Sequence, residues 1–179
     1  MAQLVMERPH LRDLPASRPL PEGYRLREYD GAHDLPSLCA TLRDAFFEPW
    51  DEAKVRRELL DDVGVRAIYV VEHGGAVVGT ATSRSIAHRL PDAGYVHWVA
   101  VAPAHLRRGL AAVLLDWVLR DFAARGDTRA ILQTDDSRTP AISAYLRLGF
   151  LPVYAVEGED HRERWSAIFQ TLGDGAARR

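Results

Sequence analysis

Between Tyr24 and Tyr29 the chain alternates Tyr-Arg-Leu-Arg-Glu-Tyr, the period of a strand with one buried face. Past Asp34 the spacing changes: Leu35, Leu38, Leu42 and Phe46 recur every three or four positions, which predicts a helix with Asp34 as its acidic cap. Residues 51–60 predict a second helix with Val55 and Leu59 on one side. The β-rich runs Ala67–Glu72 and Ala76–Thr82 flank His73-Gly74-Gly75 and predict a hairpin. Tyr95–Val101 reads as a further strand, and Gly109–Arg125 as a helix whose Leu110, Leu114, Trp117, Val118 and Phe122 form one apolar stripe ended by Gly126. A short buried strand is expected at Ala130–Gln133 and a helix at Pro140–Leu148 with proline in its first turn. The last strands are expected at Leu151–Tyr154 and Arg164–Phe169. Residues 1–22 hold Pro9, Pro15, Pro19 and Pro21 without periodicity and read as an extended or partly disordered arm. One domain over 23–170 and a short tail over 171–179 complete the chain.

The order is strand, two helices, three strands, helix, strand, helix, two strands. It predicts an α+β protein with a mixed, mostly antiparallel sheet of about seven strands and about four helices, and not the regular alternation of a doubly wound fold. No G-x-G-x-x-G or Walker-type pattern appears, so dinucleotide and nucleoside triphosphate binding have no support. A formal charge of −2 argues against nucleic-acid binding. No apolar run is long enough for a bilayer span, and no signal-peptide pattern precedes the first strand, so a cytoplasmic protein is the expectation. Abundant Ala and Arg with little Lys suggest a bacterial source. The single Cys39 lies in an apolar helical stretch and reads as a small core residue. The histidines show no metal-ligand spacing, so no metal is expected.

The segment Val99 to Ala112 carries the chemistry. An apolar strand passes through a Pro103-marked turn into Leu106-Arg107-Arg108-Gly109 and then into a long helix. The first amides of a helix lack intrahelical partners, and the peptide dipoles concentrate positive charge there, so this turn suits an anion. Gly109 permits close backbone approach, and Arg107 and Arg108 add charge-assisted donors fit for a diphosphate. A second segment, Ala141 to Phe150, places Ala141, Tyr145, Gly149 and Phe150 at fixed offsets after a further strand.

Together the two segments resemble the GNAT superfamily of acyl-CoA-dependent N-acetyltransferases. That family's loop pattern is Gln or Arg, two residues, Gly, one residue, Gly or Ala; its second pattern is Ala, three residues, Tyr, three residues, Gly-Phe. The resemblance spans roughly Tyr24 to Phe169 and makes 23–170 an N-acetyltransferase domain with the GNAT fold. It departs at Leu106, where the family has Gln or Arg, and at Arg138, where an Asn is common; Arg138 is expected to reach a cofactor phosphate instead. The resemblance implies acetyl-CoA as donor, with its pantetheine arm along Val99, Ala100 and Val101 in a gap between two splayed strands. Its diphosphate would rest on the amides of Leu106, Arg107, Arg108, Gly109, Leu110, Ala111 and Ala112. Tyr145 is implied as general acid toward the departing thiolate and the Val99 N–H as an oxyanion donor. His97 stands where several members place a glutamate that receives the amine's proton; a hydrogen-bonded structural histidine is the other reading. Strand alternation puts Tyr95, His97 and Val99 on one face and Val96, Trp98 and Ala100 on the other. Phe46, Phe47 and Trp50, beside Glu48, Asp51 and Glu52, are expected to wall a site for a cationic amine. A small-molecule amine is the first acceptor expected, with a protein N-terminus or lysine, or a non-catalytic CoA sensor, as alternatives. A homodimer is expected by family analogy alone.

Overall fold

β1 (Leu4–Arg8) and β2 (Tyr24–Glu28) open the chain, and helices α1 (Gly31–Phe46) and α2 (Glu52–Val55) follow. The latter widens into a π-helical turn at Arg56–Leu60. A computed structural model describes residues 3–156 and 158–177. Next come β3 (Val65–His73), β4 (Ala76–Ser85), β5 (Ala93–Val101), α3 (Leu110–Ala124), β6 (Arg129–Thr134) and α4 (Thr139–Arg147). β7 (Leu151–Val153), the short ribbon β8 (Ala155–Val156) and β9 (Glu159–Asp160), and α5 (Arg162–Ala177) complete the described residues. The main sheet has seven strands in the order β2-β3-β4-β5-β6-β1-β7, and only β5 and β6 run parallel. This is the mixed sheet that the pattern of elements predicts.

The alternation along β3 sorts the core into two layers. Ile68 and Val70 face α1 and α2, where Leu35, Leu38, Leu42, Val55 and Leu59 are buried and the free Cys39 is a small packing residue. Ala67, Tyr69 and Val71 face the cluster built on Leu110, Leu114, Val118 and Phe122 of α3. Trp117, assigned by spacing to that stripe, lies at its edge, 43% exposed, with its ring against Tyr69. Asp34 is not the cap of α1; it sits one turn inside, buried, where it accepts from the Asp30 N–H and from the Arg27 guanidinium. Those donors hold its carboxyl below the usual range against the opposing pull of burial.

Two chain ends depart from the sequence reading. The proline-rich arm is no loose lead-in: its Leu4–Arg8 stretch is an inner strand, antiparallel to both β6 and β7, with Leu4 and Met6 fully buried. The rest of the arm is strapped to α3 and the sheet. Ser17 donates to Asp116, the Leu11 N–H donates to the Thr128 carbonyl, and Arg8 donates to the Asp13 carbonyl. At the other end, Arg164–Phe169 is not a strand but the first half of α5, which runs on through residues 171–177, so no separate tail begins at 171. Trp165 and Ile168 are buried at helical spacing. The strand expected from the C-terminal segment is therefore supplied from the N-terminus.

Candidate active site

Two local devices build the site. The first is a bulge in β5. Thr82 pairs with His97 and Thr80 with Ala100, so Trp98 and Val99 together oppose Ala81, and Trp98 takes φ +46°. A bulge bends its strand and reverses the alternation beyond it. The consequence corrects the simple face assignment: His97 and Trp98 point to the same side, with rings 5.0 Å apart, while Val99 packs into the α3 core. The second consequence is a gap. β5 pairs with β6 only from Ala93 to Val96, and its edge from His97 to Val101 has no ladder partner on that side among the described residues. This splay is where the pantetheine arm was expected.

The gap leads to the turn before α3. Gly109 sits at φ +80° as the N-cap, a left-handed conformation that L side chains resist, and nothing lies within 4 Å of where a Cβ would project. No side chain caps the helix, and the amides of Ala112 and Val113 turn back to the Gly109 carbonyl, leaving those of Leu110 and Ala111 free. Arg107 and Arg108 are exposed and have no carboxylate partner among the described residues. Leu106, 54% exposed, presents no polar group. The turn is braced from β2, where the Tyr24 hydroxyl bonds His105 Nδ1 at 2.8 Å. A Gly109→Val variant should fold with a melting temperature only a few degrees lower yet bind acetyl-CoA roughly tenfold more weakly, since αL strain of about 1–2 kcal/mol distorts the turn. Calorimetric titration checks it.

The second device fixes Tyr145. The C-terminus of α4 closes in a Schellman motif: the Phe150 N–H donates to the Tyr145 carbonyl at 3.1 Å and the Gly149 N–H to that of Leu146 at 3.0 Å. Gly149 takes the φ of +82° that the motif requires. The apolar contact that accompanies such a motif is Tyr145 against Phe150, ring centroids 6.1 Å apart. The Tyr-x3-Gly-Phe spacing is thus the signature of a helix end that holds one tyrosine in place. Arg8 of β1 reinforces it by donating to the Leu148 carbonyl. Tyr145 is 7% exposed; its hydroxyl has no hydrogen-bond partner among the described residues, yet its oxygen is not among the fully enclosed polar atoms. Burial raises its pKa above the usual phenol value, opposed by the charge of Arg138, so the phenol is protonated at neutral pH.

His97 is half-buried, and desolvation, then the charge of Arg84, push its pKa down to about 4, against a smaller upward pull from Asp62. Its imidazole is neutral at physiological pH and free to accept a proton. Phe46, Trp50 and Trp98 form an edge-to-face cluster beside it, with Trp98 5.1 Å from Phe46 and 4.6 Å from Trp50. Phe47 is not part of that wall; it is 90% exposed. The cluster does not present open aromatic faces to a cation. Lys54 covers Trp50 and Arg138 covers Phe46, each at 4.4 Å. Nor are the carboxylates idle: Glu48 pairs with Lys54 at 2.7 Å, and Asp51 caps α2 by accepting from the Lys54 N–H. Arg138 itself is the N-cap residue of α4 and reaches across to the end of α1, so its placement is against Phe46 and not at the diphosphate turn. Sequence reasoning missed this contact and the role of Trp98, since both depend on the bulge and on pairing of distant segments.

Residues 35–150 match the acetyltransferase (GNAT) family. The chain belongs to that family. Among curated relatives of this GNAT protein, mycothiol acetyltransferase of Streptomyces bingchenggensis is 31% identical over 137 residues, covering 73% of this chain and 44% of the relative. N-alpha-acetyltransferase MAK3 of Arabidopsis thaliana is 25% identical over 123 residues, covering 69% of this chain and 64% of that protein. Among solved structures, a GCN5-related N-acetyltransferase from Sphaerobacter thermophilus superposes with a TM-score of 0.65 at 22% identity, over 86% of this chain and 50% of that one, and shares the fold. The GNAT chain described here spans less than half the length of the mycothiol acetyltransferases it resembles.

Proposed function

We propose that this GNAT protein transfers an acetyl group from acetyl-CoA to a primary amine by direct attack on the thioester, with a small molecule as acceptor. Three features, read together as a track for the donor, carry the reading: the N-terminus of α3 without a side-chain cap, the edge of β5 from Val101 to His97 without a ladder partner among the described residues, and the Tyr145 hydroxyl without a hydrogen-bond partner among them. Acetyl-CoA, the donor that the family uses in general, is long, anionic at one end and reactive at the other, and suits such a track.

In this reading the neutral amine nitrogen bonds to the acetyl carbon and the C–S bond breaks. The Tyr145 hydroxyl gives its proton to the departing thiolate, and the extra ammonium proton passes to neutral His97, directly or through water. The Val99 N–H, at the bulge, is the donor to the oxyanion. Arg107, Arg108 and the amides from Leu106 to Ala112 hold the diphosphate. Val99, Ala100 and Val101 line the pantetheine arm. The deciding experiment is calorimetric titration with acetyl-CoA followed by thiol release across panels of amines and peptides. Amine-dependent release supports the reading, whereas binding without turnover on any acceptor identifies a sensor and overturns it.

The protonation states give a pH signature. His97 loses its proton only through about pH 4, so it is already neutral throughout the range from pH 5 upward, and Tyr145 keeps its proton past the ordinary phenol value. The acid-side fall of kcat/KM should therefore follow the acceptor's own amine pKa and shift when a less basic amine is used. An inflection near 6.5 that ignores the identity of the acceptor would show instead that His97 titrates as an ordinary imidazole and that its own protonation state, and not the acceptor's, sets the acid limb.

A further inference from the structure

We propose that Arg138 is the specificity-determining residue of the acceptor site and takes a carboxylate, so that the preferred acceptor is an amine that also carries a carboxylate group. The inference rests on the acetyl-transfer reading and narrows its substrate class.

The half-buried arginines Arg27, Arg66, Arg84, Arg120, Arg129 and Arg164 each hold an aspartate or glutamate of the chain. Arg138 is equally half-buried and has none. The acids nearest to it in sequence are engaged elsewhere: Asp135 accepts from Gln3, and Asp136 is paired with Arg164. The guanidinium instead lies over Phe46, its Cζ 4.4 Å from the ring centroid, a contact that leaves its N–H donors available for a bidentate partner. An unpaired charge withdrawn from water is costly to keep, and a ligand anion removes that cost.

Position assigns the anion to the acceptor. Arg138 caps α4, the helix that carries Tyr145, and so belongs to the same element as the proposed general acid. Its stacking partner Phe46 packs on Trp98 of the bulge, and the indole N–H of Trp98 is enclosed without an acceptor. The Arg138 guanidinium, without a carboxylate partner among the described residues, opposes a bare cation and favours a molecule whose carboxylate is bound while its amine faces the thioester.

Matched pairs test this: the proteinogenic α-amino acids and their carboxamides, assayed by thiol release with wild type, Arg138→Gln and Arg138→Lys. In wild type, kcat/KM for the favoured acids should exceed that of their carboxamides at least tenfold. Arg138→Gln should abolish that preference through KM for the acid; Arg138→Lys should restore it in part, because charge returns without the planar fork. Wild-type preference for the carboxamides, or a raised KM for acetyl-CoA with the acid preference intact, overturns the inference while leaving acetyl transfer standing. Absence of amine-dependent thiol release with any acceptor overturns both.

Discussion

Tyr145→Phe is expected to lower kcat roughly 100-fold while leaving the Kd for acetyl-CoA within about twofold, the scale of a lost general acid. The argument is local. Only the hydroxyl is removed, and it has no partner among the described residues, so no buried donor or acceptor is orphaned and the melting temperature should not move. The ring stays in place because the Schellman motif and the contact with Phe150 hold it through the backbone and the aromatic face. A phenol whose pKa is raised by burial is a donor at neutral pH, and the thiolate released by acyl transfer is the group that needs a proton. Steady-state kinetics with titration calorimetry separate the two parameters. Unchanged kcat would take Tyr145 out of the proton path and leave it a packing residue.

What could be foreseen here follows the range of the forces involved. The turn into α3 was legible because helix-end electrostatics and the φ of Gly109 are written within a few residues of sequence. So was Tyr145, since Tyr145, Gly149 and Phe150 are the C3, C′ and C″ positions of a single helix end. The bulge was not. Trp98 adopts φ +46° with no glycine or proline to announce it, and the strain is sustained by the packing of its ring on Phe46 and Trp50, residues placed by α1 and the turn after it. Once the bulge was missed, period-two alternation put His97 and Trp98 on opposite faces, and the wall against which Arg138 stacks went unseen. In α5 the apolar Trp165, Ile168 and Phe169 look β-rich in composition, and over so short a run that composition hides their helical spacing.

Removal of residues 1–9 should have the larger structural effect: loss of the cooperative thermal transition. β1 is the only described partner of β7 and supplies the second edge of β6. Without it both strands expose open edges, and the space filled by Leu4 and Met6 becomes a void beneath Leu132 and Phe150 in the core cluster. Truncating one such buried side chain costs about 2–5 kcal/mol. Losing two, along with both ladders, consumes the 5–15 kcal/mol that holds a typical domain together. The truncation also removes the Arg8 guanidinium from the Leu148 carbonyl, and with it the brace on the helix end that positions Tyr145. Arg8→Ala separates the two contributions. It keeps the strand, leaves the Leu148 carbonyl without that donor, and should lower kcat severalfold at a melting temperature only modestly reduced. Circular dichroism melts of both variants, with a synthetic peptide of residues 1–22 added back to the truncated chain, provide the measurement. Recovery of the transition with peptide is the expected result. A truncated chain that melts cooperatively without it would show that β6 and β7 close against each other and that the N-terminal strand is dispensable.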